Sequence, residues 1–127
     1  MAHLLFVYGT LKKGKCNHHV LGTNAKFLGT GTVVGFDLFS NGYYPYAVLT
    51  NSNHKCISGE VYEIDDEAFA MCDRLEGYPN HYLRKKVNVD LGTLIHSPYH
   101  RTAWIYYTEQ HRLNTTNLQY LDKGVFE

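Results

Sequence analysis

The stretch 65–79 is the one part of this chain with both ends of a helix written into it. Asp65 or Asp66 can accept amide hydrogens of a first turn, and with Asp65 as the cap Ile64 can pack on Phe69. Gly77 tolerates the left-handed position that closes a helix, and Pro79 cannot continue one. The remaining regular segments read as strands. Residues 4–8 form an unbroken apolar run that stops at Gly9, the mark of a central strand buried on both faces. Between 26 and 40, Thr30, Thr32, Val33 and Val34 are interleaved with Gly29, Gly31 and Gly35, a strand with bends or bulges. Asn41 and Gly42 signal a turn, after which 43–50 can return as a strand interrupted at Pro45. Residues 57–64 place Ile57, Gly59 and Val61 on one face, and 84–91 and 102–108 add further strands. Strands, one helix and strands again predict an α+β fold: a small curved or barrel-like mixed β-sheet with few helices. A doubly wound sheet would need regular alternation with helices, which is missing.

With 127 residues the chain suits one domain over 1–127. The tail 115–127 is too mixed to assign. Twelve basic side chains balance twelve acidic ones, which removes the electrostatic footprint of a nucleic-acid or anionic-membrane binder. A small-molecule partner is expected, with the oligomeric state left open. Cys16, Cys56 and Cys72 are odd in number and widely spaced, which suits reduced thiols and a cytoplasmic location. The start lacks a basic n-region, and no apolar run is long enough to span a bilayer.

On the helix, Phe69, Cys72 and Leu75 fall on one stripe that should face the core. At ~100° per residue, Glu76 lies about 20° from Phe69 and about 40° from Cys72, so its carboxylate turns toward that face. A buried carboxylate in the last helical turn meets low dielectric and the negative end of the backbone dipole, and both raise its pKa. A glutamate so tuned can accept and return a proton near neutrality. The pattern equally allows Glu76 to fray outward, or to pair with Arg74 or Arg84.

The run Phe-Val-Tyr-Gly-Thr-Leu-Lys-Lys-Gly at 6–14, extended by Asn17 and His18, resembles the Tyr-Gly-[Ser/Thr]-Leu loop of the γ-glutamylcyclotransferase-like superfamily. Leu75-Glu76-Gly77-Tyr78-Pro79, followed by Tyr82 and Arg84, resembles its catalytic Glu-Gly segment and the tyrosine after it. The resemblance covers about 4–107. Thr10 and the Lys-Lys-Gly continuation look most like the γ-glutamylamine cyclotransferase branch, which implies a γ-glutamyl amide substrate such as γ-glutamyl-ε-lysine and release of 5-oxoproline. It implies Glu76 as catalytic acid/base and Tyr8, Gly9, Thr10, Leu11 and Tyr82 as substrate-binding residues, with no metal or organic cofactor. The Leu-Glu-Gly-Tyr-Pro form is shared with other branches. Activity on γ-glutamyl dipeptides or glutathione, or a binding module without catalysis, therefore stands as an alternative. Gly9 would let backbone approach the ligand, amides near it would bind an oxyanion, and the Tyr82 hydroxyl would orient Glu76 or the ligand.

Other signals are weaker. Adjacent His18 and His19 diverge on a strand or helix, and Pro98 between His96 and His100 argues against a helical metal pair. Cys16 lies near the loop without a nameable base. Arg84, Lys85 and Lys86 suit a solvated strand edge, and Lys12, Lys13 and Lys15 either attract an anionic substrate or solubilise the loop. Trp104, Tyr106 and Tyr107 read as sheet packing, with Tyr107 also able to line a pocket.

Overall fold

A computed structural model describes residues 2–94 and 97–127; His96 of the histidine pair lies outside the described residues. In chain order the elements are β1 (His3–Val7), a 3-10 turn (His18–Leu21), β2 (Lys26–Val34), β3 (Phe36–Ser40), β4 (Pro45–Leu49), β5 (Cys56–Ile64) and α1 (Asp66–Glu76). There follow β6 (Leu83–Leu94), β7 (Ser97–Glu109), a 3-10 turn (Gln110–Arg112) and β8 (Gln119–Tyr120).

The apolar run at 4–8 becomes β1, and its position explains its composition. It pairs antiparallel with β5, from His3 opposite Ile64 to Val7 opposite Glu60, and parallel with β7 at Leu5 opposite Trp104. Since β5 also pairs with β2, β2 with β6 and β6 with β7, the contact between β1 and β7 closes a five-stranded mixed barrel. The expected bend in β2 is a register shift between Phe27 and Gly29. Outside the ring, β4 lies parallel to β7, β3 pairs with β4, and β8 pairs with β3.

Each barrel strand turns one side chain or more into a shared interior: Phe6, Val33, Ile57, Val61, Val89, Ala103 and Ile105 are buried together. The opposite face of β1 gives Leu5 and Val7 to a second cluster under α1, with Ile64, Phe69, Cys72 and Tyr106. This is the two-sided burial that a strand of unbroken apolar residues requires.

The helix follows its sequence signals. Asp65 caps it, accepting the Ala68 amide at 2.8 Å, and Gly77 ends it at φ 67°, donating to Arg74 O at 3.3 Å. Several expectations are corrected. Leu75 does not enter the core; it is 43% exposed, because the helix meets the barrel through Ala68, Phe69 and Cys72. Pro45 begins β4 instead of interrupting a strand, a place where its missing N–H is harmless. Arg84–Lys86 lies on β6 where it pairs with β7 alone, the pairing of β6 with β2 being at Asp90 opposite Thr32, and Lys85 and Lys86 are exposed. Pro98 lies within β7, opposite Thr93, not in a loop. The unassigned tail crosses back over the sheet: Leu121 N donates to Leu38 O at 2.8 Å, and Gly124 O accepts from Ser58 N at 2.8 Å. Among the described residues no helix is long and apolar enough to cross a membrane.

Candidate active site

The segment leaving β1 is held by its own side chains. Tyr8 is buried, and its hydroxyl donates to Tyr106 O at 2.6 Å and accepts from Ala47 N at 3.4 Å, tying the loop's start to β7 and β4. Beyond it, Gly9 O accepts from Lys12 N at 3.0 Å, Thr10 O from Asn17 N at 2.9 Å, and Leu11 O from His18 Nδ1 at 2.8 Å. Asn17 Nδ2 also donates to Thr10 Oγ1 at 3.0 Å. The three loop carbonyls are thus engaged, whereas the amides of Gly9, Thr10 and Leu11 donate to no described protein acceptor. Asn17 and His18 brace this arrangement.

Gly9 has a packing reason to lack a side chain, beside the expected one. A Cβ there would stand 2.7 Å from Pro45 Cγ and 2.8 Å from Pro45 Cδ, so the residue is bare because the proline of β4 covers it. Tyr82 serves the same neighbour. Its hydroxyl donates to Pro45 O at 3.0 Å, not to Glu76, while its amide donates to Glu76 O at 3.2 Å.

Every predicted residue, Tyr8, Gly9, Thr10, Leu11, Glu76 and Tyr82, lines one cavity of about 510 Å³. The remaining wall comes from Phe6 and Val7 of β1, Cys16 and Asn17, the hairpin residues Tyr43, Tyr44 and Pro45, Leu75 and His81, and Tyr106. An open groove of similar volume along Thr30, Ser58 and Asp90 contains none of the predicted residues. Tyr107 lies elsewhere, its ring centroid 5.9 Å from that of Phe36 on the interior side.

Glu76 is half-buried, and its carboxylate has no hydrogen bond or ion pair with any described residue. Burial pushes its carboxyl up to about 7. Neither expected partner takes it. Arg84 instead holds Asp73 through Nε at 2.8 Å and Nη2 at 3.2 Å, with its guanidinium 4.2 Å from the Tyr78 ring and 4.5 Å from the Trp104 ring. Asp73 also accepts the Tyr106 hydroxyl at 2.7 Å. Burial, with a smaller contribution from the Glu76 charge, pushes the Tyr8 hydroxyl well above its ordinary range and the Cys72 thiol up to about 12. Both stay protonated near neutrality, so of these three groups the Glu76 carboxyl is the one moved to about 7.

Tyr43, Tyr44, His81 and Tyr106 join the wall without having been singled out for it. The paired tyrosines directly after the turn at Asn41 and Gly42 were a usable signal, because large rings at a hairpin tip have little core to enter. His81 and Tyr106 offered none.

Residues 5–126 match the family described as Gamma-glutamyl cyclotransferase, AIG2-like. A rat gamma-glutamylaminecyclotransferase is 38% identical over 96 residues, covering 70% of this chain and 64% of the rat protein. An Escherichia coli K12 gamma-glutamylcyclotransferase family protein is 37% identical over 102 residues, covering 80% of this chain and 79% of that one. The crystal structure of a mouse AIG2-like protein superposes with a TM-score of 0.71 at 28% identity, covering 84% of this chain and 77% of the mouse chain. With the family match running from β1 through the tail, the chain belongs to the AIG2-like gamma-glutamyl cyclotransferases.

Proposed function

We propose that the protein is a γ-glutamylamine cyclotransferase, which closes the γ-glutamyl group of γ-glutamyl-ε-lysine or a related amide to 5-oxoproline and frees the amine. The observation that carries this reading is the meeting of Glu76, unpaired among the described residues and raised by burial to about 7, with the unengaged amides of Gly9, Thr10 and Leu11 in one cavity. The substrate's own α-amine is the nucleophile. At neutral pH an α-amine is largely protonated, so a base must first take a proton from it. Ionised Glu76 does this, and the amine then attacks the γ-carbonyl. Collapse of the tetrahedral intermediate expels a nitrogen that leaves well only when protonated, and the same carboxyl returns the proton. The loop amides supply donors for the α-carboxylate or for the oxyanion, and the walls hold the glutamyl chain folded for ring closure. Tyr8 and Tyr82, whose hydroxyls are spent on backbone carbonyls, act as walls that keep the loop and Pro45 in place.

The test is 5-oxoproline formation from γ-glutamyl-ε-lysine, γ-glutamyl-alanine and glutathione by the protein and its Glu76→Gln variant. Activity on γ-glutamyl-ε-lysine is expected, with a loss of about 10²–10⁴-fold in the variant. No product from any of these would overturn the reading, and turnover by a folded variant at the parent rate would remove Glu76 from it.

A further inference from the structure

We infer that, within the cyclotransferase reading on which this inference rests, the tail segment 124–126 positions the loop of the cavity: Phe126, acting through Lys12 and Lys15, holds the Gly9, Thr10 and Leu11 amides where the reaction needs them. The loop has two sides. Tyr8 to Leu11, with Cys16 and Asn17, line the cavity, whereas Lys12 lines the open groove together with Val125, Ser58, Gly59 and Glu60. None of 124–126 lines the cavity itself.

The tail is seated before it reaches the loop. Gly124 is buried against β5, its carbonyl accepting from Ser58 N at 2.8 Å, and a Cβ on it would collide with the Cys56 carbonyl. Leu121 and Phe126, partly buried, pack against the cluster that contains Phe6, Val33 and Ile57. From this base Phe126 meets two lysines of the loop. Its carbonyl accepts from Lys12 Nζ at 2.6 Å, and Lys15 Nζ lies 5.3 Å from the centre of its ring. A turn brings the two lysines to one side, Lys15 N donating to Lys12 O at 3.0 Å. Burial, the largest effect, lowers the Lys12 pKa from its ordinary value, against the nearby Glu60 charge. Lys12 is thus spent inside the protein, where a solubilising lysine would stand in water.

Lys12 is the joint through which this hold reaches the amides. Its own N–H closes a turn on Gly9 O at 3.0 Å, so a displaced Lys12 carries Gly9, Thr10 and Leu11 with it. The next residue is fixed as well: Lys13 N donates to Glu60 Oε1 at 2.9 Å, an oxygen that also accepts the Tyr62 hydroxyl at 3.1 Å. Asn17 and His18 therefore hold the loop by its carbonyls, and Glu60 and Phe126 hold it by its lysines. Donors that receive an anionic oxygen work by being fixed in advance, and a misplacement of about 1 Å can cost on the order of 10²-fold. Phe126 is a positioning residue in this sense, acting through Lys12 without lining the cavity.

The experiment measures kcat/KM on whichever of γ-glutamyl-ε-lysine, γ-glutamyl-alanine and glutathione the protein turns over best, at a temperature where every variant is folded. Lys12→Met and Phe126→Ala should each lose about tenfold, and the double variant no more than either, since both cut one tether. Lys12→Arg and Phe126→Tyr, which keep the donor and the ring, should stay within about threefold of the parent. If Lys12 served to attract substrate, Phe126→Ala would free it and leave kcat/KM unchanged or raised. That result, or losses that multiply in the double variant, would overturn the inference while leaving the cyclotransferase reading intact. Amide exchange gives a readout independent of turnover. In Phe126→Ala the Lys12 and Asn17 amides, bonded to Gly9 O and Thr10 O, should exchange about tenfold faster while the Phe69 amide of α1 keeps the parent rate. Equal acceleration of all three would mean a general loss of stability and would refute positioning. No 5-oxoproline from the parent with any of these amides would overturn both readings together.

Discussion

Replacing Glu76 with Gln should make the protein more stable above neutrality, and the gain should fade in acid. Burial raises the carboxyl from 4.5 to about 7, so the fold favours the protonated form. The stabilising contribution of a proton on Glu76 is present in full below about 4.5 and is lost as the pH rises through about 7. Each pKa unit corresponds to about 1.4 kcal/mol, which gives a ceiling near ~3 kcal/mol for the ionised side chain at about pH 8. Glu76 is half-buried and partly reached by water, so about 2–3 kcal/mol is the expected difference. Gln has the shape of the neutral acid and avoids this penalty. With a urea slope of about 2 kcal/mol per molar, the variant's midpoint should lie about 1–1.5 M above the parent's at about pH 8 and converge with it toward about pH 4.5. Urea titrations of both proteins across that range measure it. A midpoint difference that is absent, reversed or independent of pH would refute the argument that burial in the cavity holds the carboxyl up. In the parent, kcat/KM should rise with an acid limb near about 7 as Glu76 ionises.

Two other perturbations address the frame around the cavity. Gly9→Ala should destabilise by about 1–3 kcal/mol and reduce activity, because its Cβ meets Pro45 Cγ at 2.7 Å. Pro45→Ala in the same chain should recover part of both, as read by thermal melting and 5-oxoproline release, and additive losses would refute the clash. Asp73→Ala leaves Arg84 among its rings without a counter-charge and the Tyr106 hydroxyl without its acceptor; a loss of about 2–4 kcal/mol is expected in urea titrations. A change below about 0.5 kcal/mol would show that the pair behaves as an exposed one.

Local signals carried much of this structure. The Asp65 cap and the Gly77 stop are written in neighbouring residues, and Leu4 to Tyr8 needed only their unbroken apolarity to be placed in the middle of a sheet. Glu76 was readable as a carboxylate turned toward an apolar face, but periodicity alone could not separate that from a pairing with Arg84. The deciding fact is the capture of Arg84 by Asp73 among Tyr78 and Trp104, which depends on where the tertiary fold brings β6 to α1. Leu75 misled for the same reason. A helical stripe says which residues share a face, and only the tertiary contact says how far along that face the barrel extends. The covering of Gly9 by Pro45 and the seating of the Tyr82 hydroxyl on Pro45 O join segments about 36 and 37 positions apart, beyond the reach of any local pattern.

The single parallel register of Leu5 with Trp104 also sets an order of events in time. Residues separated by 98 positions, Tyr8 and Tyr106, must meet before the loop's first anchor exists. Loop closure on that scale is entropically unfavourable and slows folding toward the millisecond-to-second range common for β-barrels. During synthesis the amino-terminal strand therefore emerges long before its parallel neighbour, and its Leu-Leu-Phe-Val edge waits unpaired on that side until β7 leaves the ribosome. The loop's first anchor is therefore acquired late, in the same step that removes this adhesive edge.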